Sequence, residues 1–153
     1  MPAKSIKEEI FPQRMFVYGT LMEGFYNYDK SLRGRVLSRT SARVQGALYH
    51  QSLKGYPAMV DGEGRVRGEL LEVEDFDRML EICDKIENFF GEGRQDNEYE
   101  RRATEVEVPA DEKPGLFKPI LAWVYWYARS DLGKPSNPAE KVPSGDWREF
   151  MKK

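Results

Sequence analysis

The run Ile120-Leu121-Ala122-Trp123-Val124-Tyr125-Trp126-Tyr127 is apolar on both faces of an extended chain. Successive side chains of a strand point to opposite faces, so this run has no side to give to water. It predicts a strand at the centre of a sheet, and a fold that covers that sheet on both sides. Further strands are expected at 15–18, 42–49, 66–73 and 102–108. In the second of these, Val44, Gly46 and Leu48 alternate with Gln45, Ala47 and Tyr49, the pattern of a half-buried strand. One helix is expected over 75–88, with Asp75 as its N-cap. Residues 91–98 (Gly-Glu-Gly-Arg-Gln-Asp-Asn-Glu) read as a polar, mobile loop. Residues 130–145, with Pro135, Pro138 and Pro143, read as a Pro-rich surface connection. There is no internal repeat and no linker long enough to separate two units. Several strands around one clear helix predict a single α+β domain with a curved sheet or small barrel.

Charge and cysteine usage narrow the functional classes. Charged residues make up 33% of the 153, yet their signs nearly cancel to a net charge of −2. Nucleic-acid binding needs a concentrated basic surface, so no nucleic-acid partner is expected. No apolar run approaches the ~20 residues of a membrane-spanning helix, and the first nine residues lack the apolar segment of a secretory signal. A lone Cys83 excludes an internal disulfide, and a lone His50 cannot build a metal cluster. The expectation is a cytoplasmic protein with no membrane partner, no metal and no cofactor.

The helix carries the sharpest clue. At ~100° per residue, Phe76, Met79, Leu80, Cys83 and Ile86 form one apolar stripe, with Arg78, Glu81 and Lys85 opposite. Glu87 falls inside the stripe, close in angle to Leu80 and Cys83. A carboxylate facing a core is costly unless it is paired or used. Burial also raises its pKa toward the range a general base needs at neutral pH. The competing reading ends the helix before Glu87, which then turns to water beside Asn88.

Phe16-Val17-Tyr18-Gly19-Thr20-Leu21 is a short apolar strand broken at a glycine. The amides after Gly19 can form a small anion cradle, or they can simply end a strand. No Gly-Lys-Ser/Thr follows, so this is not a phosphate loop. Gly62-Glu63-Gly64 and Gly91-Glu92-Gly93 miss the dinucleotide pattern and read as turns. Tyr99 and Tyr125 can offer hydroxyls to a ligand, or pack with a wet tip. Glu69 reads as a structural carboxylate and is the next candidate base after Glu87. His50 has no nucleophile pattern around it, Cys83 reads as a small core residue, and Glu105 and Glu107 as a solvated strand face.

Taken in order, these landmarks resemble a known family. Phe16 to Leu21 followed by Gly24 and Asn27 is similar to the N-terminal signature of the gamma-glutamylcyclotransferase-like proteins. The likeness continues through Gly55-Tyr56-Pro57-Ala58-Met59-Val60, Val66-Arg67-Gly68-Glu69-Leu70 and Asp84-Lys85-Ile86-Glu87. It ends with Tyr99-Glu100-Arg101, Ala122-Trp123-Val124-Tyr125 and Ser144-Gly145-Asp146-Trp147. The last motif resembles bacterial members and those acting on gamma-glutamylamines. The resemblance implies a small mixed β-barrel with flanking helices over residues 15–153, after an N-terminal extension at 1–14. It implies a gamma-glutamyl small molecule as substrate, converted to 5-oxoproline and a free amine or amino acid without a cofactor. It also implies Glu87 as catalytic acid/base. Tyr18, Gly19, Thr20 and Leu21 become the loop that binds the substrate's alpha-carboxylate, and Tyr99 and Tyr125 become pocket tyrosines. The chain departs from the pattern at Asn88, where many relatives have glycine, and in the charged loop 91–98. Two rival classes stay open. One is a noncatalytic module that binds a small carboxylate. The other is a protein-interaction domain using the aromatic strand and Trp147-Arg148-Glu149-Phe150.

Overall fold

The structure, a computed structural model, describes residues 11–152. Most of the extension expected at 1–14 therefore lies outside the described residues. The strands are β1 (Met15–Val17), β2 (Val36–Gln51), β3 (Tyr56–Val73), β4 (Tyr99–Pro109), β5 (Phe117–Tyr127) and β6 (Ala139–Lys141). The helices are α1 (Tyr26–Lys30), α2 (Phe76–Ile86) and α3 (Trp147–Phe150). The doubly apolar run lies in β5, flanked by β1 in parallel and β4 in antiparallel pairing. Ala122, Val124, Tyr125, Trp126 and Tyr127 are all buried there. The sheet order is β3-β1-β5-β4-β2-β6, and β2 also pairs with β3. Strands β1 to β5 therefore close into a ring, a small mixed barrel with β6 on its outer edge. Each of β1 to β5 thus has a neighbour on both sides, the β1–β5 and β4–β2 seams being made by single residue pairs, Met15↔Trp123 and Arg43↔Glu107.

The long β2–β3 hairpin is more extensive than its sequence pattern. Alternation is visible only at 42–49 and 66–73 because a bulge interrupts it. The register runs from Gln45↔Arg65 to Ala47↔Val60, leaving Asp61 to Gly64 outside the ladder. A Cβ added to Gly62 would stand 2.7 Å from the Ala47 Cβ, so the strands close up here only because position 62 has no side chain. A bulge bends its strand, and on the far side of the bend lie Tyr56 and Pro57, where β3 begins.

Helix α2 buries Met79 and Cys83 fully and leaves Asp77, Arg78, Glu81 and Lys85 exposed, as its stripe predicts. Leu80 is only half-buried. Asp75 stands at the N-cap, but its backbone is left-handed (φ 48°) and its side chain makes no capping bond. The expected cap is therefore absent. The other end is closed by a Schellman turn: Asn88 N–H donates to Lys85 O (3.3 Å) and Phe89 N–H to Asp84 O (2.9 Å). Asn88 occupies the left-handed position of that turn, at φ 54°. Asparagine tolerates this conformation better than most other residues with a side chain, which suits it to this position.

The 130–145 segment is more than a surface connection. It supplies β6 and the buried Asn137, whose amide donates to Gln51 Oε1 (2.8 Å), Tyr127 Oη (3.1 Å) and Asp131 Oδ1 (3.3 Å). Arg67 N–H then donates to Gly145 O (2.8 Å), and a Cβ on Gly145 would collide with the Arg65 carbonyl. Asp146 caps α3, accepting from Glu149 N–H (3.1 Å). Trp147 is 1% exposed, packs on Phe25 and donates its indole N–H to His50 Nδ1 (3.1 Å). His50 is thus a docking residue for α3. With Trp147 and Trp126 buried, the aromatic surface that the interaction-domain reading needs is not presented by these residues.

Candidate active site

The cleft begins where β1 ends. Tyr18 is buried, and its hydroxyl donates to the Tyr125 carbonyl (2.6 Å), tying the loop to the central strand. Gly19 O accepts from Met22 N–H (3.0 Å) and Thr20 O from Tyr28 N–H (3.0 Å), while Asn27 Nδ2 donates to Thr20 Oγ1 (2.7 Å). These bonds use the loop's carbonyls and turn its amides the other way. Among the described residues, the N–H groups of Gly19, Thr20 and Leu21 find no hydrogen-bond acceptor. Gly19 is required for a packing reason as well: an added Cβ would lie 2.7 Å from Pro57 Cγ.

Glu87 forms the facing wall. Its N–H still bonds Cys83 O (2.9 Å), so it keeps the helical phase although α2 ends at Ile86. The side chain consequently turns into the cleft rather than out to water. Among the described residues it makes no hydrogen bond and no ion pair. Loss of solvation, then the negative charges of Glu98 and Asp84, push its carboxyl from the ordinary 4.5 up to about 8. A half-buried carboxyl that is unpaired and poised near neutrality is equipped to move protons.

Tyr18, Gly19, Thr20, Leu21, Glu87, Tyr99 and Tyr125 all line one cleft, completed by Phe16, Val17, Tyr56 and Pro57. The two pocket tyrosines present their rings, because their hydroxyl protons are engaged elsewhere. Tyr99 donates to Pro57 O (2.5 Å) and Tyr125 to Asp84 Oδ1 (2.7 Å), which also accepts from Arg101 Nε (2.8 Å). Burial pushes both phenols well above their ordinary range, so they stay neutral walls.

Glu69 lies elsewhere. It faces Arg39 (3.5 Å) and Arg148 (3.9 Å) in a separate groove with Met22, Arg43 and Arg67. Glu105 is exposed, whereas Glu107 is half-buried between Arg43 (3.2 Å) and Arg65 (3.1 Å). Cys83 is fully buried, and desolvation raises its thiol far from reactivity.

One functional neighbour escaped the sequence. An adjoining lobe is lined by Tyr26, Asn27, Tyr56, Glu87, Asn88 and Glu98 among others. Glu98 is 6% exposed and accepts from Lys54 Nζ (3.2 Å), Asn88 Nδ2 (3.0 Å) and, very closely, the Tyr56 hydroxyl. The loop before it is tied down rather than loose. Asn97 Nδ2 donates to Gly91 O (2.7 Å), Phe90 N–H to Asn97 Oδ1 (2.7 Å) and Gly93 N–H to Glu100 Oε1 (2.9 Å). A run of polar residues has no period to announce this. The one available signal was position, since Asn97 and Glu98 directly precede a pocket tyrosine. Among the described residues, no three His, Cys, Asp or Glu side chains gather as a metal site, and no helix is long and apolar enough to cross a membrane.

Residues 15–149 match the family "Gamma-glutamyl cyclotransferase, AIG2-like". This chain belongs to that family. The Gamma-L-glutamyl-butirosin B gamma-glutamyl cyclotransferase of Niallia circulans is 34% identical over 147 residues, 96% of this chain and 83% of the relative. The crystal structure of an AIG2-like protein from Mus musculus superposes with a TM-score of 0.56 at 26% identity, covering 76% of this chain and 77% of the mouse chain. YkqA from Bacillus subtilis shares the fold with a TM-score of 0.59 at 23% identity, covering 91% of this chain and 40% of its own. The gamma-glutamyl cyclotransferase family thus fixes the protein as an enzyme of cyclotransferase type on an α+β barrel.

Proposed function

We propose that this enzyme releases 5-oxoproline and a free amine or amino acid from a gamma-glutamyl compound, with Glu87 as its acid/base. The observation that carries the reading is the untethered Glu87 carboxyl, raised to about 8, sharing one cleft with the unused amides of Gly19 to Leu21. In this reading the amides hold the substrate's alpha-carboxylate and the tyrosine rings fold the glutamyl chain over itself. The alpha-amine arrives as an ammonium. A cation beside Glu87 favours the ionised carboxylate, so binding itself releases the carboxyl proton. Glu87 then takes a proton from the ammonium, and the amine nitrogen attacks the gamma-carbonyl carbon to close a five-membered ring. As the bond to the leaving nitrogen breaks, Glu87 returns that proton to it. The ring nitrogen then gives up its surplus proton and the departing amine leaves as an ammonium, so two protons pass from the alpha-nitrogen to the leaving nitrogen. Attack is intramolecular, so holding a folded conformer supplies much of the rate and no protein nucleophile is needed. The loop amides also stabilise negative charge that develops in the cleft.

The chemistry calls for no metal or cofactor, and we place the working unit at residues 15–153, in the cytoplasm. The Niallia circulans relative is named for a gamma-glutamyl group on butirosin B, which supports a leaving group larger than a simple amino acid. The test is incubation of the purified chain with a panel of gamma-glutamyl amino acids, peptides and amines, reading 5-oxoproline and free amine. Turnover of at least one class, in equimolar products, is expected. No release across the panel, with 5-oxoproline still bound, would instead establish the binding-module reading.

A further inference from the structure

We propose that Glu98 is a positioning residue for Glu87: it fixes the carboxyl's approach to the cleft and, through its own negative charge, disfavours a second anion beside it until a cationic substrate arrives. The inference rests on the acid/base reading of Glu87 above. Its basis is the number of cleft walls that end on one buried carboxylate.

Glu98 is joined to the C-terminal turn of α2 by a reciprocal pair of bonds. Its N–H donates to Asn88 O (3.0 Å), and the Asn88 side-chain amide donates back to Glu98 Oε1 (3.0 Å). Asn88 is the left-handed residue of the turn that directs Glu87 inward, so this clamp holds the turn at its strained point. The other oxygen, Oε2, takes the Tyr56 hydroxyl and Lys54 Nζ. Tyr56 lines the cleft as well. One carboxylate thus joins the end of α2, the start of β4 and the beginning of β3.

Its electrostatic effect follows from the same placement. Glu87 and Glu98 share a lobe, and the other titratable neighbours of Glu87 are Asp84, Cys83 and the phenols of Tyr18, Tyr26, Tyr99 and Tyr125. The phenols and the thiol are neutral at pH 7. Asp84 is paired with Arg101 (2.8 Å) and Glu98 with Lys54 (3.2 Å). Two carboxylates lining one lobe disfavour each other's ionisation. The cation that lifts the restraint is the substrate's own ammonium, which couples the base's readiness to occupancy.

The test uses two substitutions with opposite expected signs. Glu98→Gln keeps size and removes the charge, so the acid limb of kcat/KM should move about half to one pH unit lower. Lys54→Met unmasks the Glu98 charge, so the limb should move higher. A role in packing alone would lower kcat or raise KM in both variants without shifting the limb in opposite directions. The same coupling is read without turnover from the pH dependence of unfolding, by comparing each background with and without Glu87→Gln. The Glu87-dependent transition should again move down in one background and up in the other. Unmoved transitions in both backgrounds, or a shift of the same sign in both, would overturn the proposal. If wild type released no 5-oxoproline while the unfolding transitions moved as stated, the coupling would stand and the acid/base reading would fall.

Discussion

Replacing Glu87 by glutamine should stabilise the protein, and the gain should depend on pH in a defined way. The carboxyl titrates at about 8 in the folded chain against an ordinary 4.5. Between those values the folded state binds a proton that the unfolded state has lost. Stability of the wild type therefore falls as pH rises, by about 1.4 kcal/mol per unit. From pH 5 to pH 7 the loss amounts to roughly 2–3 kcal/mol by the same linkage. Glutamine does not titrate, so the difference between variant and wild type should widen by that amount, a relative Tm gain of roughly 4–12 °C for a chain of this size. Below pH 4.5 the carboxyl is protonated in both states and the difference should be flat; above about 8 it is ionised in both and should be flat again. Other titrations largely cancel in the comparison. The assay is thermal or urea unfolding of both proteins in unit pH steps. A difference that stayed constant across the window would show that Glu87 is not held unpaired in a desolvating site.

Three further expectations come from packing and the loop. Gly19→Ala places a Cβ against Pro57 at 2.7 Å; it should cost about 1–3 kcal/mol by strain and raise KM more than it lowers kcat, measured by unfolding and steady-state kinetics. In α2, Met79→Ala should cost roughly 2–5 kcal/mol, the half-buried Leu80→Ala clearly less, and Glu81→Ala at most about 0.5 kcal/mol, all by urea unfolding. Tyr125→Phe removes the donor to Asp84 and should cost roughly 1.5–3 kcal/mol, the range for a bond to a charged acceptor. Because the ring still lines the cleft, activity should survive, as kinetics on the refolded variant would report.

The parts of the fold legible in the sequence are those whose burial leaves a period. The two-faced β5 announced a central strand, and the α2 stripe gave both the helix and the inward direction of Glu87. The hairpin was underread because its bulge at Asp61 to Gly64 breaks the alternation that marks a strand. Asp75 looked like a cap because its residue type favours one, but tertiary context gave it a left-handed backbone. The glycine loop could be placed by its pattern, while the fate of its amides depended on Asn27 and Tyr28, which bind it from a helix too short to recognise. Glu98 was hidden for a related reason. Its burial is produced by Lys54, Tyr56 and Asn88, partners between 10 and 44 residues away, and none of those separations is periodic.

The central claim is that Glu87 moves the protons of an intramolecular cyclisation. The most direct test is 5-oxoproline release by wild type and Glu87→Gln on a gamma-glutamyl compound that wild type turns over, with 5-oxoproline affinity measured on both. Release should fall by at least the ~10²–10⁴-fold typical of losing an acid/base group. Product affinity should persist, because the loop amides of Gly19 to Leu21 are untouched. Near wild-type release by the variant would contradict the account.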